Sequence, residues 1–362
     1  MSTRNHPVSR RDVLRLGGAG LSALTLGETP AGAAEGEKRI RVGFVGIDNY
    51  QAVEFAKFLN DPQATGELAG FQATVAYPGG SPDLAESRDN LPKWIQQIQQ
   101  FGVKIVDTIP EVLKKSDAVI VMSMDGRAHL ALARPVIEAH KPVYIGRPLA
   151  AQMEDAVRIY HLAEQKKVPI FSCSQHRFSP GFYDMRNHPE VGKVLGCEVH
   201  GGCPIDPTHA DLFWHGVHGV ETLYTIMGPG CESVTRVQTP VTEFVTGTWK
   251  DGRVGTFRGI HQGAVGYQAL VYGADGIIMS GKYGGYAPVK GVYPEGKYAG
   301  YEPLARQIAR FFKTGKPPVS PDETLELFAF MEAAHESKRR GGAPVTLEST
   351  LARARQSAGV KA

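Results

Sequence analysis

The pattern of apolar and polar positions changes once along this chain, near residue 192. Before that point, short runs of consecutive apolar residues alternate with longer stretches of helical spacing. A continuous apolar run bounded by glycine or proline indicates a strand buried on both faces, and the longer stretches indicate amphipathic helices. Strands that alternate with helices predict a parallel sheet covered by helices.

The first part of the chain contains enough such segments for one complete α/β domain. Strands are predicted at 39–47, 71–77, 103–106, 117–123, 142–146 and 168–174. Helices are predicted at 50–59, 91–101, 110–115, 127–139 and 153–166, with a loop at 78–83. This alternation is typical of a Rossmann-type nucleotide-binding domain, which we assign to residues 38–150.

After residue 192 apolar and polar residues alternate singly, which predicts half-buried strands. The pairs Asp251-Gly252 and Asp275-Gly276 predict tight hairpin turns between these strands. Two helices are predicted, one from near Gly216 to the Gly228-Pro229 pair and one from a Ser320 cap to Arg340. The fold class is therefore α/β, with a second domain at 151–348 built on an open, mostly antiparallel sheet, and a tail at 349–362.

The first 34 residues have the order of features found in an export signal. Arg10-Arg11 precede a mildly apolar run at 16–26, and small residues at 31–34 follow it. This order predicts a twin-arginine signal peptide, and with it a periplasmic or secreted protein. The alternative is a disordered basic tail in which two arginines are adjacent by chance.

Charge and cysteine content exclude some classes of partner. The chain has a formal net charge of +3, and residues 1–34 hold four arginines and two acids, so the remainder carries about +1. A nearly neutral protein gives no reason to expect nucleic acid as a partner. The four cysteines have no metal or redox spacing. Cys197 and Cys203 could pair, but buried free thiols are the favoured interpretation.

Several short segments resemble the Gfo/Idh/MocA family of oxidoreductases, which includes glucose–fructose oxidoreductase and inositol dehydrogenase. These segments are "GRPLA", "SQHRFSPGF", "VGKVLGCEV" and "GVHGVETLYTIMG", in the order in which the family has its own motifs. The resemblance covers roughly residues 40–348. It implies a nicotinamide cofactor, hydride transfer to or from sugars and cyclitols, and a homo-oligomer paired through the second sheet. Some exported family members carry twin-arginine signals.

The chain departs from the family at the positions that bind the cofactor. The phosphate-binding turn reads Gly46-Ile47-Asp48-Asn49, so one glycine remains and Asp48 adds a negative charge beside the expected phosphates. The second strand ends without the usual ribose-binding acid. We therefore expect NAD or NADP to bind weakly, with Gly46, Asp48, Ser123 and Arg147 as the cofactor-binding candidates.

The residues that would carry the chemistry also differ from the family pattern. Arg147 replaces the usual lysine, which lacks its preceding acid here, and an arginine cannot give up a proton at working pH. His218 matches the family histidine, and Glu221 lies one helical turn later, where its carboxylate could orient the imidazole. The catalytic candidates are therefore His218, Arg147 and Glu221. Without the resemblance, His218 and Glu221 would be taken for a solvent-facing polar stripe.

The candidates for substrate binding are less specific. They are Asp125, Arg127 and His129 after a buried strand, Arg177 in the "SQHRFSPGF" segment, and the pair Trp214 and His215. The alternatives are helix capping for Asp125, surface charge for Arg127, a domain interface for Arg177 and a core position for Trp214. Histidines are dense between His200 and His218, but their spacing is no zinc pattern, so we do not expect a metal.

Three functions remain open from the sequence. The first is a nicotinamide-dependent oxidoreductase of a sugar or polyol that tolerates an altered phosphate turn. The second is a sugar lyase, hydrolase or epimerase that uses His218 without redox chemistry. The third is a carbohydrate-binding protein without activity.

Overall fold

The computed structural model describes residues 39–263, 266–280 and 300–360 of the chain. Its first sheet is fully parallel, with strand order β3-β2-β1-β4-β5-β6. The strands are β1 (Ile40–Val45), β2 (Phe71–Tyr77), β3 (Lys104–Ile105), β4 (Ala118–Val121), β5 (Val143–Ile145) and β6 (Ile170–Ser172). The helices that connect them are α1 (Tyr50–Leu59), α2 (Ala85–Gln100), α3 (Ile109–Lys115), α4 (His129–Glu138) and α5 (Met153–Lys166). The order and direction of the strands confirm the Rossmann-type fold.

The second sheet has the order β12-β11-β7-β10-β9-β8-β13 and is antiparallel except where β7 meets β10. Its strands are β7 (Val194–Gly202), β8 (Cys231–Gln238), β9 (Thr242–Trp249), β10 (Val254–Ile260), β11 (Gln268–Gly273), β12 (Ile277–Met279) and β13 (Val345–Thr346). The helices of this part are α6 (Pro180–Tyr183), α7 (Gly216–Met227), α8 (Glu302–Thr314), α9 (Pro321–Arg339) and α10 (Leu347–Ala358). Both predicted hairpin turns are present.

Helix α7 carries two of the candidate residues, His218 and Glu221. All of its residues are buried, and it packs on β7 and β10. A side chain at Gly219 would overlap the ring of Phe257, since a Cβ there would lie 1.9 Å from a ring carbon. The glycine therefore lets the helix approach the sheet closely, and this approach fixes the height of His218 above it.

The bounds of several predicted elements are corrected by the structure. Helix α2 begins at Ala85 rather than Leu91. The sequence pattern misses its first turns because they are mostly exposed and carry no apolar repeat. Residues 349–358 of the predicted tail at 349–362 form most of α10, whose Leu347 and Ala354 are buried. The first sheet also extends past residue 150, to β6.

The end of the chain contributes to the first core as well. Helix α8 buries Leu304, Ile308 and Phe311 against the side chains of the first sheet and its helices. Ser320 caps α9 as expected, its Oγ accepting the Glu323 amide at 3.1 Å. Within the described residues, no helix is both long and apolar enough to cross a membrane.

Candidate functional site

A cavity of about 290 Å³ lies at the carboxyl edge of the first sheet. Side chains from the loops after β1, β4, β5 and β6 line it, and the first turn of α7 closes one side. The carboxyl ends of parallel strands are where Rossmann-type folds bind their ligands. Of the sequence candidates, Arg147, Trp214, His215 and His218 contribute to this cavity.

Arg147 follows β5 and is half-buried in the wall of the cavity. Within the described parts of the chain it makes no ion pair, and its Nε is buried without a hydrogen-bond partner. The nearby Asp125 carboxylate pairs with Arg127 and His209 instead. A guanidinium in this position can hold a carboxylate, a phosphate or a developing oxyanion.

The segment that carries Arg147 is held by a buried histidine. The Nδ1 atom of His129 lies 2.8 Å from the carbonyl oxygen of Pro148, and its Nε2 atom lies 2.9 Å from that of Ser123. His129 is fully buried and does not line the cavity. Its predicted role in substrate binding is therefore wrong: it ties the loop after β4 to the loop after β5.

His218 lies in the first turn of α7, with its ring between the two sheets. Its Nδ1 atom is 2.6 Å from the hydroxyl oxygen of Ser174, which follows β6. Burial lowers the pKa of His218 well below its usual value, and the positive charge of Arg147 lowers it further. The imidazole is therefore neutral near pH 7. If the hydroxyl donates to Nδ1, the ring proton resides on Nε2.

Glu221 does not contact His218 in the way that its spacing predicts. Its Oε2 atom accepts the Ser174 amide at 3.1 Å, and its Oε1 atom is paired with the Arg177 guanidinium. Burial raises the pKa of Glu221, although the charge of Arg177 opposes the shift. The carboxylate thus positions Ser174, and Ser174 in turn positions the imidazole. This indirect arrangement replaces the predicted direct contact.

Two further histidines surround His218. The ring of His176 is centred 4.9 Å from it and that of His215 is centred 5.9 Å away. Burial, followed by the charge of Arg147, lowers the pKa of His176 and of His215 to about 3. Three neutral imidazoles therefore face one arginine, so Arg147 is the strongest anion-binding group of the cavity.

Among the lining side chains that sequence reasoning missed are His176 and Tyr267. His176 lies within "SQHRFSPGF", and the Tyr267 ring packs edge-on against it at 4.6 Å. The position of this segment after a parallel strand could have indicated His176. Tyr267 gave no signal, because it approaches the cavity from the second sheet.

Trp214 and His215 line the cavity, but the tryptophan is largely covered. Its indole stacks on the imidazole of His209 with ring centroids 4.7 Å apart, and only 5% of the residue is exposed. Little of its face is therefore available to a sugar ring. No group of three or more His, Cys, Asp or Glu side chains in the described segments could hold a metal ion.

Asp125 is buried and forms a charge network with the exposed Arg127 outside the cavity. The Ser81 hydroxyl donates to Asp125 at 2.6 Å, and Arg127 bridges Asp125 to Asp83 at 2.7 and 2.8 Å. Burial opposes ionisation of Asp125, but the bonds from His209, Arg127 and Ser81 outweigh it and lower its pKa. These residues hold the loop after β2 against the loop after β4, which corrects their predicted role as substrate ligands.

Arg177 also lies away from the cavity. Its guanidinium is buried between Glu221 and Glu323, and its side chain lines a separate cleft. It is therefore a structural partner of Glu221 rather than a neighbour of His218. All four cysteines are buried and free, which agrees with the favoured interpretation from the sequence.

The phosphate-binding turn is closed by the chain itself. Residues 46–49 are buried, and the amides of Gly46 and Ile47 donate to the carbonyls of Tyr77 and Pro78. Gly46 has a φ of +77°, and a Cβ there would lie 2.9 Å from the amide nitrogen of Ser123. The glycine therefore allows the turn to approach the end of β4.

Asp48 occupies the centre of this closed turn. It is fully buried, and its Oδ2 atom accepts the hydroxyls of Ser87 at 2.7 Å and Ser123 at 3.3 Å. Burial raises the pKa of Asp48, and its Oδ1 atom has no hydrogen-bond partner. Asn49 rather than Asp48 caps α1, its side chain accepting the Gln51 amide at 3.0 Å. A buried carboxylate behind a closed loop does not fit a pyrophosphate.

Comparisons with known proteins relate this geometry to a family. Residues 40–173 match the Gfo/Idh/MocA family model, described as an oxidoreductase family with an NAD-binding Rossmann fold. The chain is 26% identical over 170 residues to YceM of Salmonella typhimurium, which is named as an oxidoreductase, covering 47% of this chain and 50% of that protein. It is 36% identical over 80 residues to inositol 2-dehydrogenase 1 of Saccharopolyspora erythraea, covering 22% of this chain and 23% of that protein. The chain thus matches at most about half the length of these relatives.

Solved structures extend the likeness of fold to most of the chain. GenD2 from gentamicin A biosynthesis, in complex with NAD, has a TM-score of 0.68 and 19% identity over 88% of this chain and 99% of its own. Scyllo-inositol dehydrogenase from Lactobacillus casei, with NAD(H) and scyllo-inositol, has a TM-score of 0.65 and 12% identity over 86% of this chain and 100% of its own. Residues 40–173 therefore match the NAD-binding Rossmann domain of the Gfo/Idh/MocA oxidoreductase family, and the chain shares the fold of these solved structures.

Proposed function

We propose that this protein transforms a sugar or polyol that carries an anionic or strongly polar group, with His218 as the proton-transfer residue. The observation that carries the proposal is the opening of Arg147 and His218 onto one cavity, with the Nε atom of Arg147 buried and without a hydrogen-bond partner. A cavity of about 290 Å³ has room for a single ring and its hydroxyl groups.

The family-model match and the similar solved structures support the class of ligand and reaction. The inositol dehydrogenase structure contains a cyclic polyol, and its cofactor is a nicotinamide. Nicotinamide-dependent oxidation or reduction of a sugar or polyol is therefore the first candidate reaction. The nicotinamide, when bound, would supply the hydride acceptor or donor.

The residues of the cavity have distinct tasks in such a reaction. Arg147 holds the charged or polar group of the ligand and orients its ring, since its guanidinium remains protonated. His218 accepts a proton from a ligand hydroxyl or returns one, and Ser174 fixes the ring that does so. The aromatic rings of Tyr267 and Trp214 restrict water around these groups.

A second candidate reaction is proton transfer without redox chemistry, as in a sugar lyase, hydrolase or epimerase. The closed turn around Asp48 favours this candidate, because the residues there do not fit a dinucleotide. We derive no step through the nicotinamide for that reason. Both reactions place the same demands on Arg147 and His218.

Incubation of the purified protein with cyclitols, aldoses and sugar acids separates the two reactions. Each substrate is tested with NAD, with NADP and without cofactor, while absorbance at the nicotinamide band and products by chromatography are followed. Turnover that needs a nicotinamide selects the oxidoreductase, and turnover without one selects the non-redox enzyme. Products formed equally well by His218→Ala would contradict the proposed site.

We further propose that the protein is exported through Arg10-Arg11 and pairs with a second copy through the open face of the second sheet. The predicted signal peptide at 1–34 lies outside the described residues. Support for pairing comes from exposed apolar side chains on strands of this sheet, among them Leu195 and Val254. Light scattering of the mature protein tests the pairing, and a monomer would contradict it.

A further inference from the structure

A second cleft, of about 580 Å³, lies on the far side of Arg177 from His218. Its walls come from residues 177–187, the last turns of α8, the loop at 316–318 and the start of α9. Among the residues that the structure describes, it shares no lining residue with the His218 cavity. Nothing in the proposed reaction uses it.

The charges that line this cleft are unbalanced. Its basic side chains are Arg177, Arg186, Arg310 and Lys316, and Glu323 is its acidic side chain. Glu323 is already engaged, since its Oε1 atom accepts Arg177 Nη1 at 2.6 Å. Because Arg177 is also paired with Glu221, the cleft carries a positive excess of about two charges, which attracts an anion.

Two of the arginines hold buried donors without partners. Arg177 has a side chain that is only 7% exposed, with Nε on Glu221, Nη1 on Glu323 and Nη2 without a hydrogen-bond partner. Arg186 donates from Nη2 to the Tyr224 carbonyl at 2.6 Å, while its Nε is buried and unsatisfied. Buried guanidinium donors are costly when unpaired, so these atoms mark where an acceptor is missing.

An apolar wall stands beside these donors. Phe178, Phe311, Pro317 and Pro318 line the cleft, and Tyr183 exposes 57% of its surface at the rim. Inorganic phosphate alone would leave this wall unused. A ligand with a ring or apolar body and one charged end would contact both parts of the cleft.

We propose that this cleft binds a small organic anion, with its carboxylate or phosphate on Arg177, Arg186 and Arg310 and its ring against Tyr183 and Pro318. Such a ligand would supply the acceptor that the buried donors lack. The exposed Arg310 and Lys316 would draw it in from solvent. This site is independent of the reaction proposed at His218.

Calorimetric titration of the full chain tests the site with four probes. Phenyl phosphate and benzoate carry both features, inorganic phosphate carries only the charge, and benzyl alcohol carries only the ring. Phenyl phosphate or benzoate should bind at least about fivefold more tightly than the other two probes, and which of them binds better separates a phosphate ligand from a carboxylate ligand. No binding of either by about 10 mM overturns the proposal.

Single-charge variants locate the binding. Arg310→Ala should weaken it about tenfold, as expected for loss of one charge-assisted hydrogen bond. Lys313→Ala is the matched control, because Lys313 is on the same helix but lies over the Phe71 ring. Equal losses in both variants, or a larger loss in Arg147→Ala, would place the anion elsewhere and overturn the proposal.

Discussion

Replacing Asp48 by asparagine should tighten the binding of NAD and NADP. The carboxylate is fully buried in the phosphate turn, so its charge is poorly screened from a bound phosphate. Two like charges about 5 Å apart at an effective dielectric constant of about 20 repel by roughly 3 kcal/mol, or about a hundredfold in affinity. Asparagine keeps the shape and can still accept the Ser87 and Ser123 hydroxyls.

Titration calorimetry with each nucleotide measures this effect. The unmodified protein should have dissociation constants above about 100 μM, and Asp48→Asn should lower them by about ten- to a hundredfold. The control is Asp89→Asn, which makes the same change at an exposed position of α2. Low-micromolar binding by the unmodified protein would refute the account of the turn.

The pH dependence provides a second check on the same residue. Burial raises the pKa of Asp48, so its proton is held more tightly in the folded protein than in the unfolded chain. As the pH falls through that raised pKa the carboxylate becomes neutral, and nucleotide binding should tighten. Asp48→Asn should remove this dependence. It should also raise the melting temperature at pH 7.5, by an amount that shrinks toward acid pH. An unchanged affinity would mean that the loop, rather than the charge, excludes the nucleotide.

The remaining predictions concern the cavity and the export signal. Arg147→Ala should weaken ligand binding more than Arg147→Lys. Because Arg147 helps to lower the pKa of His218, Arg147→Ala should also move the acid limb of the pH–activity profile to higher pH. An acid limb that stays in place would contradict this coupling. His218→Ala should lower the rate of the reaction by about 10²–10⁴-fold, and a rate near normal would remove it from the mechanism. Ser174→Ala should reduce kcat less than His218→Ala while shifting the pH profile, whereas a loss confined to stability would make Ser174 merely structural. Replacing Arg10 and Arg11 by lysine should retain the protein in the cytoplasm. Cell fractionation measures this, and unchanged export would refute the predicted signal peptide.

The sequence predicts the elements of this fold well because their patterns are local. The bounds of α1, β2 and α5 agree with the structure residue for residue, since apolar period and turn residues lie within each segment. The cap at Ser320 is likewise read from a few adjacent residues. The start of α2 is missed because its first turns are mostly exposed and polar, and exposed turns carry little periodic signal.

The candidate site is predicted less completely because its contacts are tertiary. His218 and Glu221 do share a helix face, but Ser174 enters between them from the loop after β6, and Arg177 pairs with the Glu221 carboxylate. Helical spacing cannot reveal a partner that comes from another strand. The burial of Asp48 is hidden for the same reason, since it depends on where Ser87 is placed by the loop after β2.

Nuclear magnetic resonance of imidazole groups tests the central claim most directly, that the Arg147–His218 cavity is the ligand site. Protein labelled with ¹⁵N histidine would be titrated with glucuronate, scyllo-inositol and glucose. The account predicts that at least one of them shifts the His218 ring signals saturably and that Arg147→Ala weakens this binding about tenfold. Ligand binding that leaves the His218 signals unchanged, or that survives Arg147→Ala at full strength, would contradict it.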